Sequence, residues 1–277
     1  MNATFFALAL AAALLDVTVG YPERLEAAIG APARWLGAWL RTVEVAAAGW
    51  EGRLALVLYL APVMVAAAAL DIGLPNDATG FVVRAVLAST LCARQSLDRR
   101  VRAAAQAWER EGPGEAMLAI EALGAREDES RLAPASAAAL AARFADEVVG
   151  LSVFILLGGL VGAVFFRALA VAARRVRRGA KLASAVANLE AWTLAPAARL
   201  AALWIALASG RRAPFAALTA RAPWPTGPAE AAMLAALGPA RRDEPDYLRA
   251  ALALYRRAAA LELAALTLLT IGAVIVF

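Results

Sequence analysis

The chain has 277 residues, of which 62% are hydrophobic and 18% charged, and its mean hydropathy is +0.64. A soluble domain of this length is rarely so apolar, so the composition disfavours a water-soluble enzyme and points to an integral membrane protein. The 28 Lys and Arg outnumber the 23 Asp and Glu by enough to leave a net charge of +5; in a membrane protein such an excess reflects cationic loops and needs no nucleic acid.

Apolar runs follow in chain order. Thr4–Val19 is broken only by Asp16 and Thr18. It resembles a leader peptide, but no Lys or Arg precedes its core, and Asp16 falls where a cleavage region needs small neutral residues. Trp35 and Trp39 beyond it read as interface residues, as do Trp192 and Trp224 further on. Leu54–Leu70 carries no charge, whereas Gly80–Ala93 is a weaker span because Arg84 sits inside it. Leu97, Val101, Ala104 and Trp108 then recur at helical spacing with arginines elsewhere on the wheel, which predicts an amphipathic helix. Gly-Pro-Gly at 112–114 ends it. A short helix over 116–123 and a dense charge cluster, AREDESRLAPAS, complete a polar segment over about 94–146.

Val148–Phe166 is the clearest span. It runs directly into five cations within eight residues, Arg174, Arg175, Arg177, Arg178 and Lys181. Thr193–Ser209 is a further span carrying Arg199. A second polar segment, about 210–258, holds a proline-rich loop, the short apolar helix AEAAMLAALG and the amphipathic YLRAALALYRR. Leu261–Phe277, with Glu262 near its start, is the final run. Alanine and leucine dominate and alternating strand patterns are absent, so the expectation is an all-α polytopic membrane protein. It has about five or six spans and amphipathic cytoplasmic helices. The polar segments are too short for separate domains, leaving one membrane domain over 1–277.

Two crossings separate the polar segments, so both face one compartment, and their cations place them in the cytoplasm. On this count the cations of 174–181 fall on the opposite side. A re-entrant pair of segments, or a stretch lying along the interface, is the alternative. Those cations snorkel to lipid headgroups or line a site for an anionic substrate.

The sequence contains no histidine and a single cysteine, Cys92. Imidazole bases, histidine metal sites, a Ser-His-Asp triad and an internal disulfide are therefore excluded. Any metal needs carboxylates, which suits Mg²⁺ better than Zn²⁺. No metal-ligating set is assigned. Lys181 gives no Walker-type signal, because no glycine-rich loop precedes it.

Several stretches together resemble the CobD/CbiB family, membrane proteins of cobalamin biosynthesis. LDVTVGYPERL resembles the family's opening through Asp16, Gly20 and Pro22, with Tyr21 where an aspartate is usual. APARWLG keeps Pro32, Arg34 and Gly37, with Ala31 in place of a histidine. LGAREDESRL resembles a Gly-Arg-Asp-Thr motif through Arg126 and Asp128. EVVGLSVFILLGGLVGAVFFRAL resembles the central span, including Gly158, Gly159 and Arg167. GPAEAAMLAALG resembles a Trp-Pro-Glu-Ala-Ala motif through Glu230, Ala231, Ala232 and Gly238. The chain departs from the pattern elsewhere. Of an acidic, amide-rich helix before the central span only Asp146 survives. After the span, Ala170 and Ala173 stand at the asparagine and aspartate positions, and Pro225-Thr226-Gly227 replaces Asn-Ala-Gly.

The resemblance implies an adenosylcobinamide-phosphate synthase, joining aminopropanol or its phosphate ester to a corrinoid carboxylate with ATP and Mg²⁺. It implies Asp128, Asp146 and Glu230 as catalytic residues and Asp16, Arg34, Arg126 and Arg167 as substrate contacts. It also implies membrane lipid, a corrinoid intermediate and cobalamin-pathway proteins as partners. Each residue has a plainer reading. Asp16 is a helix-end carboxylate, Arg34 and Arg167 are interfacial anchors, Arg126 and Asp128 are solvated charge, Asp146 is a cap, and Glu230 complements a helix dipole. Metal-bridged phosphates need carboxylate or amide oxygens, so the lost polar positions favour an alternative: a non-catalytic relative that binds a corrinoid or other anion, or tethers partners. A permease is disfavoured, because no pair of broken spans is evident.

Overall fold

In lipid every backbone N–H and C=O must find its partner within the chain, which confines an alanine- and leucine-rich sequence to helices. The computed structural model describes residues 3–18, 23–47, 49–92, 94–111, 132–177, 181–218, 227–238 and 245–276. Among them every regular element is helical. In order these are α1 (Ala3–Thr18), α2 (Glu23–Ala46), α3 (Gly52–Gly73), α4 (Ala78–Leu91), α5 (Arg94–Glu111), α6 (Leu132–Arg143) and a π-helical stretch (Phe144–Gly150). They continue with α7 (Leu151–Arg175), α8 (Lys181–Ser209), a 3₁₀ turn (Ala213–Leu218), α9 (Gly227–Leu237) and α10 (Pro245–Val276). Four helical stretches among the described residues are long and apolar enough to cross a membrane: Gly52–Gly73, Leu132–Arg175, Lys181–Ser209 and Asp246–Val276. The shorter α1 and α4 are also apolar. The chain is an all-α polytopic membrane protein, and each of the apolar runs picked out in the sequence forms helix over most of its described residues.

The packing groups the chain into two compact units. One comprises Met1–Cys92, Leu151–Thr193 and Leu266–Phe277, and the other Ala93–Gly150 and Leu194–Ala265. In the first, α1 packs on α4 and α7, while α2 and α3 pack on each other and on α7. Leu36, Leu40 and Val43 of α2 meet Tyr59 and Val63 of α3 and Leu169 of α7 in one buried apolar cluster. Tyr59 is fully buried, and its hydroxyl donates to the Ala168 carbonyl at 3.1 Å. The indole N–H of Trp39 donates to the Tyr59 carbonyl at 3.1 Å. Trp35 and Trp192 are exposed, as interface residues are, but Trp39 is a clasp between two helices.

Arg84, which weakened Gly80–Ala93 as a span, has a local purpose. Its Nε donates to Asp71 Oδ1 at 2.7 Å, and its terminal nitrogens reach the carbonyls of Asp71, Leu74 and Pro75. A helix end leaves carbonyls without intrahelical partners, and here one guanidinium satisfies several of them. Asp77 caps the next helix by accepting from the Gly80 N–H at 2.8 Å. An arginine inside the apolar run thus fastens the α3–α4 turn.

The sequence reads Val148–Phe166 as one clean span, and the structure breaks it. Gly158 (φ −145°, ψ 19°) and Gly159 (φ 59°, ψ −140°) interrupt α7. The ring of Phe154 stacks on that of Phe166 with centroids 4.9 Å apart, whereas twelve residues of straight helix would separate them by about 18 Å along the axis. A Cβ on Gly162 would sit 2.1 Å from the Phe154 carbonyl oxygen. The segment therefore turns back on itself at the double glycine. Only glycine takes a conformation like that of Gly159 without strain, and a Cβ there would also meet the Phe5 ring of α1 at 2.9 Å.

In the second unit the apolar stripe of α5 is buried as its spacing predicts: Leu97, Val101, Ala104 and Trp108 are all inside. The helix packs on α6 and the π-helical stretch, and α9 packs on α6 and the 3₁₀ turn. Ala229, Ala232 and Met233 of α9 are fully buried; the small side chains of the two alanines let helices approach closely.

Gly159→Ala should destabilise the protein by about 2 kcal/mol through strain at a left-handed position. Gly158→Ala, where a Cβ meets nothing within 4 Å, should cost less. The drop in thermal midpoint of the detergent-solubilised variants measures both, and equal midpoints would contradict the reversal.

Candidate functional site

Where α2 ends, α3 begins, α7 ends and α8 begins, the first unit forms a half-open cavity of about 740 Å³. Arg41, Arg175, Arg177 and Lys181 line it, with Glu44 as the one carboxylate of the lining, and Trp50 stands beside them. All four cations are exposed. Glu44 is not aimed at a cation alone, because its Oε1 accepts from the backbone N–H of Arg177 at 2.9 Å. Arg175 lies directly over α2 at Gly37, where a Cβ would be 2.0 Å from its Nη1. Gly52, which opens α3, lies against the Lys181 carbonyl, and a Cβ there would fall 2.0 Å from that oxygen. Two glycines thus bring the cationic turn against α2 and α3. The cation run of 174–181 was legible in the sequence. Arg41, Gly37 and α2 itself were not read as part of it, although Leu36, Leu40 and Val43 carry a helical spacing that could have shown the helix.

The sequence-predicted site residues divide between the two units. Asp16 is buried in α1, Arg34 is exposed on α2, and Arg167 is half-buried on α7, all in the first. Asp146 lies in the π-helical stretch and Glu230 in the first turn of α9, both in the second. Arg126 and Asp128 fall outside the described residues. Ala170 is buried, and Ala173 packs against the apolar cluster around Tyr59. The positions where the resemblance puts an asparagine and an aspartate therefore carry methyl groups in apolar surroundings. Among the described residues no three Asp, Glu or Cys side chains gather as a metal-binding group. The described carboxylates alone do not form a Mg²⁺ site.

A buried acid that sequence reasoning missed organises the second unit. Asp98, on the polar edge of α5, is 9% exposed. Its carboxylate accepts from Arg256 Nε of α10 at 2.7 Å and from Arg102 one turn along. Glu109, at the far end of α5, pairs with Arg249 of α10. The two contacts fix α5 antiparallel to α10, since 98 meets 256 and 109 meets 249. Phe144 sets its ring edge-on to Tyr255, centroids 5.5 Å apart, and Arg143 pairs with Glu147 at 2.6 Å across the start of the π-helical stretch. The signal was present as charges flanking an apolar stripe, but nothing in the pattern says which arginine of a distant segment meets Asp98. Burial pushes the Asp98 carboxyl up, and the hydrogen bonds and charges of Arg256 and Arg102 outweigh it, holding it below the usual carboxylate range.

Among known proteins the chain is similar to the cobalamin biosynthesis protein CobD of Rhodobacter capsulatus. The two are 28% identical over an alignment 303 positions long, gaps included, that covers 92% of this chain and 94% of that one. No protein-family profile and no solved structure matches the chain.

Because the Asp98 carboxyl titrates lower in the folded state than in the unfolded one, the pair contributes stability above the ordinary carboxylate value of about 3.9. That contribution is lost as pH falls through the lower folded value. Asp98→Asn should therefore lower the thermal midpoint at neutral pH, and the gap to the parent protein should close under acid. A constant gap from pH 7 to about pH 2 would contradict the assignment.

Proposed function

We propose that this chain, a distant member of the CobD family of cobalamin-biosynthesis proteins, acts on a corrinoid intermediate at the membrane. In this reading it attaches aminopropanol or its phosphate ester to the corrinoid side-chain carboxylate. The observation that carries it is the end-to-end likeness to CobD, which spans 92% of this chain; the motifs that resemble the family's supply Asp16, Arg34, Arg126, Asp128, Arg167 and Glu230. Amide formation from a carboxylate needs an activated acyl group, and ATP with Mg²⁺ are the cofactors this reading carries. Asp128, Asp146 and Glu230 are its proposed carboxylates, and Asp16, Arg34, Arg126 and Arg167 its proposed substrate contacts. The inner membrane, with the polar segments on the cytoplasmic side, is its proposed location. Membrane lipid and other proteins of the pathway are its proposed partners.

One observation favours a second reading. Ala170 and Ala173 leave no oxygen ligand at two positions where the family pattern has one, and their surroundings are apolar. A divergent relative that binds a corrinoid or another anion, or tethers partners, without forming the amide fits that substitution.

Purified protein supplied with adenosylcobyric acid, aminopropanol phosphate, ATP and Mg²⁺ should yield the amide, detected by mass spectrometry. Asp128→Ala should abolish it. Corrinoid binding without product, under conditions where a family member with the full polar pattern turns over, would establish the second reading. Neither binding nor product would sink both.

A further inference from the structure

We propose that the cationic cavity at the α2–α3 and α7–α8 ends is a binding site for a phosphate-bearing anion at the membrane surface. The inference stands on this site's own geometry and does not depend on corrinoid chemistry. Its position comes first. The apolar α3 starts at Gly52, α7 ends at Arg175 and α8 starts at Lys181, so the cavity sits where apolar helices give way to polar chain. That is the depth of lipid headgroups. Trp50 is half exposed there, as an amphipathic ring at a headgroup boundary is.

Charge comes next. Among the described lining residues, Arg41, Arg175, Arg177 and Lys181 are accompanied by one carboxylate, Glu44, and the backbone N–H of Arg177 already occupies one oxygen of it. Arginine forks match phosphate oxygens two at a time, and basic pockets between membrane helices hold phosphate headgroups. A set of cations that only snorkelled would splay outward into separate headgroups. Here Gly37 admits the Arg175 guanidinium against the backbone of α2, which turns a helix-end cation into a wall of the cavity. The size agrees: about 740 Å³ exceeds what a bare phosphate needs and falls within the usual range for small-molecule sites, about 300–1,000 Å³. An anionic lipid headgroup and a free phosphate ester present the same oxygens, so the test separates them.

The full-length protein in neutral detergent is titrated with short-chain phosphatidylglycerol, with inorganic phosphate, and with short-chain phosphatidylcholine as the zwitterionic control. At least one of the two anionic probes should bind about tenfold or more tightly than the control, and high salt should weaken it. Binding of the lipid alone assigns a headgroup, and competition by inorganic phosphate assigns a free phosphate ester. Combined Arg175→Gln and Lys181→Gln changes should reduce anion binding about tenfold. Gly37→Ala keeps every charge but drives a methyl group into the Arg175 guanidinium; it should weaken binding as well, which keeps the test sound if the double variant fails to fold. Anionic probes no tighter than the control, or Gly37→Ala and the double variant both binding like the parent, would overturn the proposal.

Discussion

The first unit depends on how a few polar groups are satisfied inside apolar matter. A buried donor or acceptor left without a partner costs more than a made hydrogen bond returns, and in a membrane there is no water to relieve it. Tyr59 resolves this for three helices at once. Its hydroxyl reaches the Ala168 carbonyl of α7 and its own carbonyl receives the Trp39 indole of α2. The apolar cluster of α2, α3 and α7 closes around that bonded ring. This arrangement also sets where α7 ends and therefore where its terminal arginines emerge. Arg84 applies the same rule at the α3–α4 turn, where one guanidinium serves carbonyls that the end of α3 leaves open.

Much of this was legible in the residues, because the period of apolar side chains is a direct consequence of helix geometry. The stripe Leu97–Val101–Ala104–Trp108 is buried as its spacing required, and the helix over AEAAMLAALG appears as α9. Three things were hidden. Reversal of α7 at Gly158–Gly159 cannot be read from hydropathy, since a run of nineteen apolar residues looks the same straight or folded. The π-helical register around Asp146 leaves no composition signature. Long-range charge pairing, such as Asp98 with Arg256, depends on which helices lie side by side. Of the site, the cation run 174–181 was visible, but its walls were not, because Gly37 and Arg41 are far from it in sequence and meet it only through the fold.

The two units treat charge differently. In the second, acids and bases answer one another: Asp98 with Arg102 and Arg256, Glu109 with Arg249, Glu147 with Arg143. The two long-range pairs, Asp98 with Arg256 and Glu109 with Arg249, fix α5 in register with α10. In the first, the cavity gathers cations around a carboxylate already engaged with backbone. The positions where the resemblance puts an asparagine and an aspartate after the central span carry alanines in packed apolar surroundings. The charged groups near this point are guanidinium and ammonium groups, those of Arg175, Arg177 and Lys181.

The fold-back of α7 also gives the opening helix a role that its composition disguises. Breaking a helix at two glycines interrupts its regular ladder of amide–carbonyl bonds, and hydrocarbon cannot stand in for the missing partners. Phe5 of α1 lies directly against Gly159 at that break, and α1 packs along α7 and α4. A segment that resembles a disposable leader is thus a lid on a seam. Trimming the protein to residue 20 would open that seam to the lipid chains, so an amino-terminal deletion would undermine the very span that lies more than a hundred residues downstream.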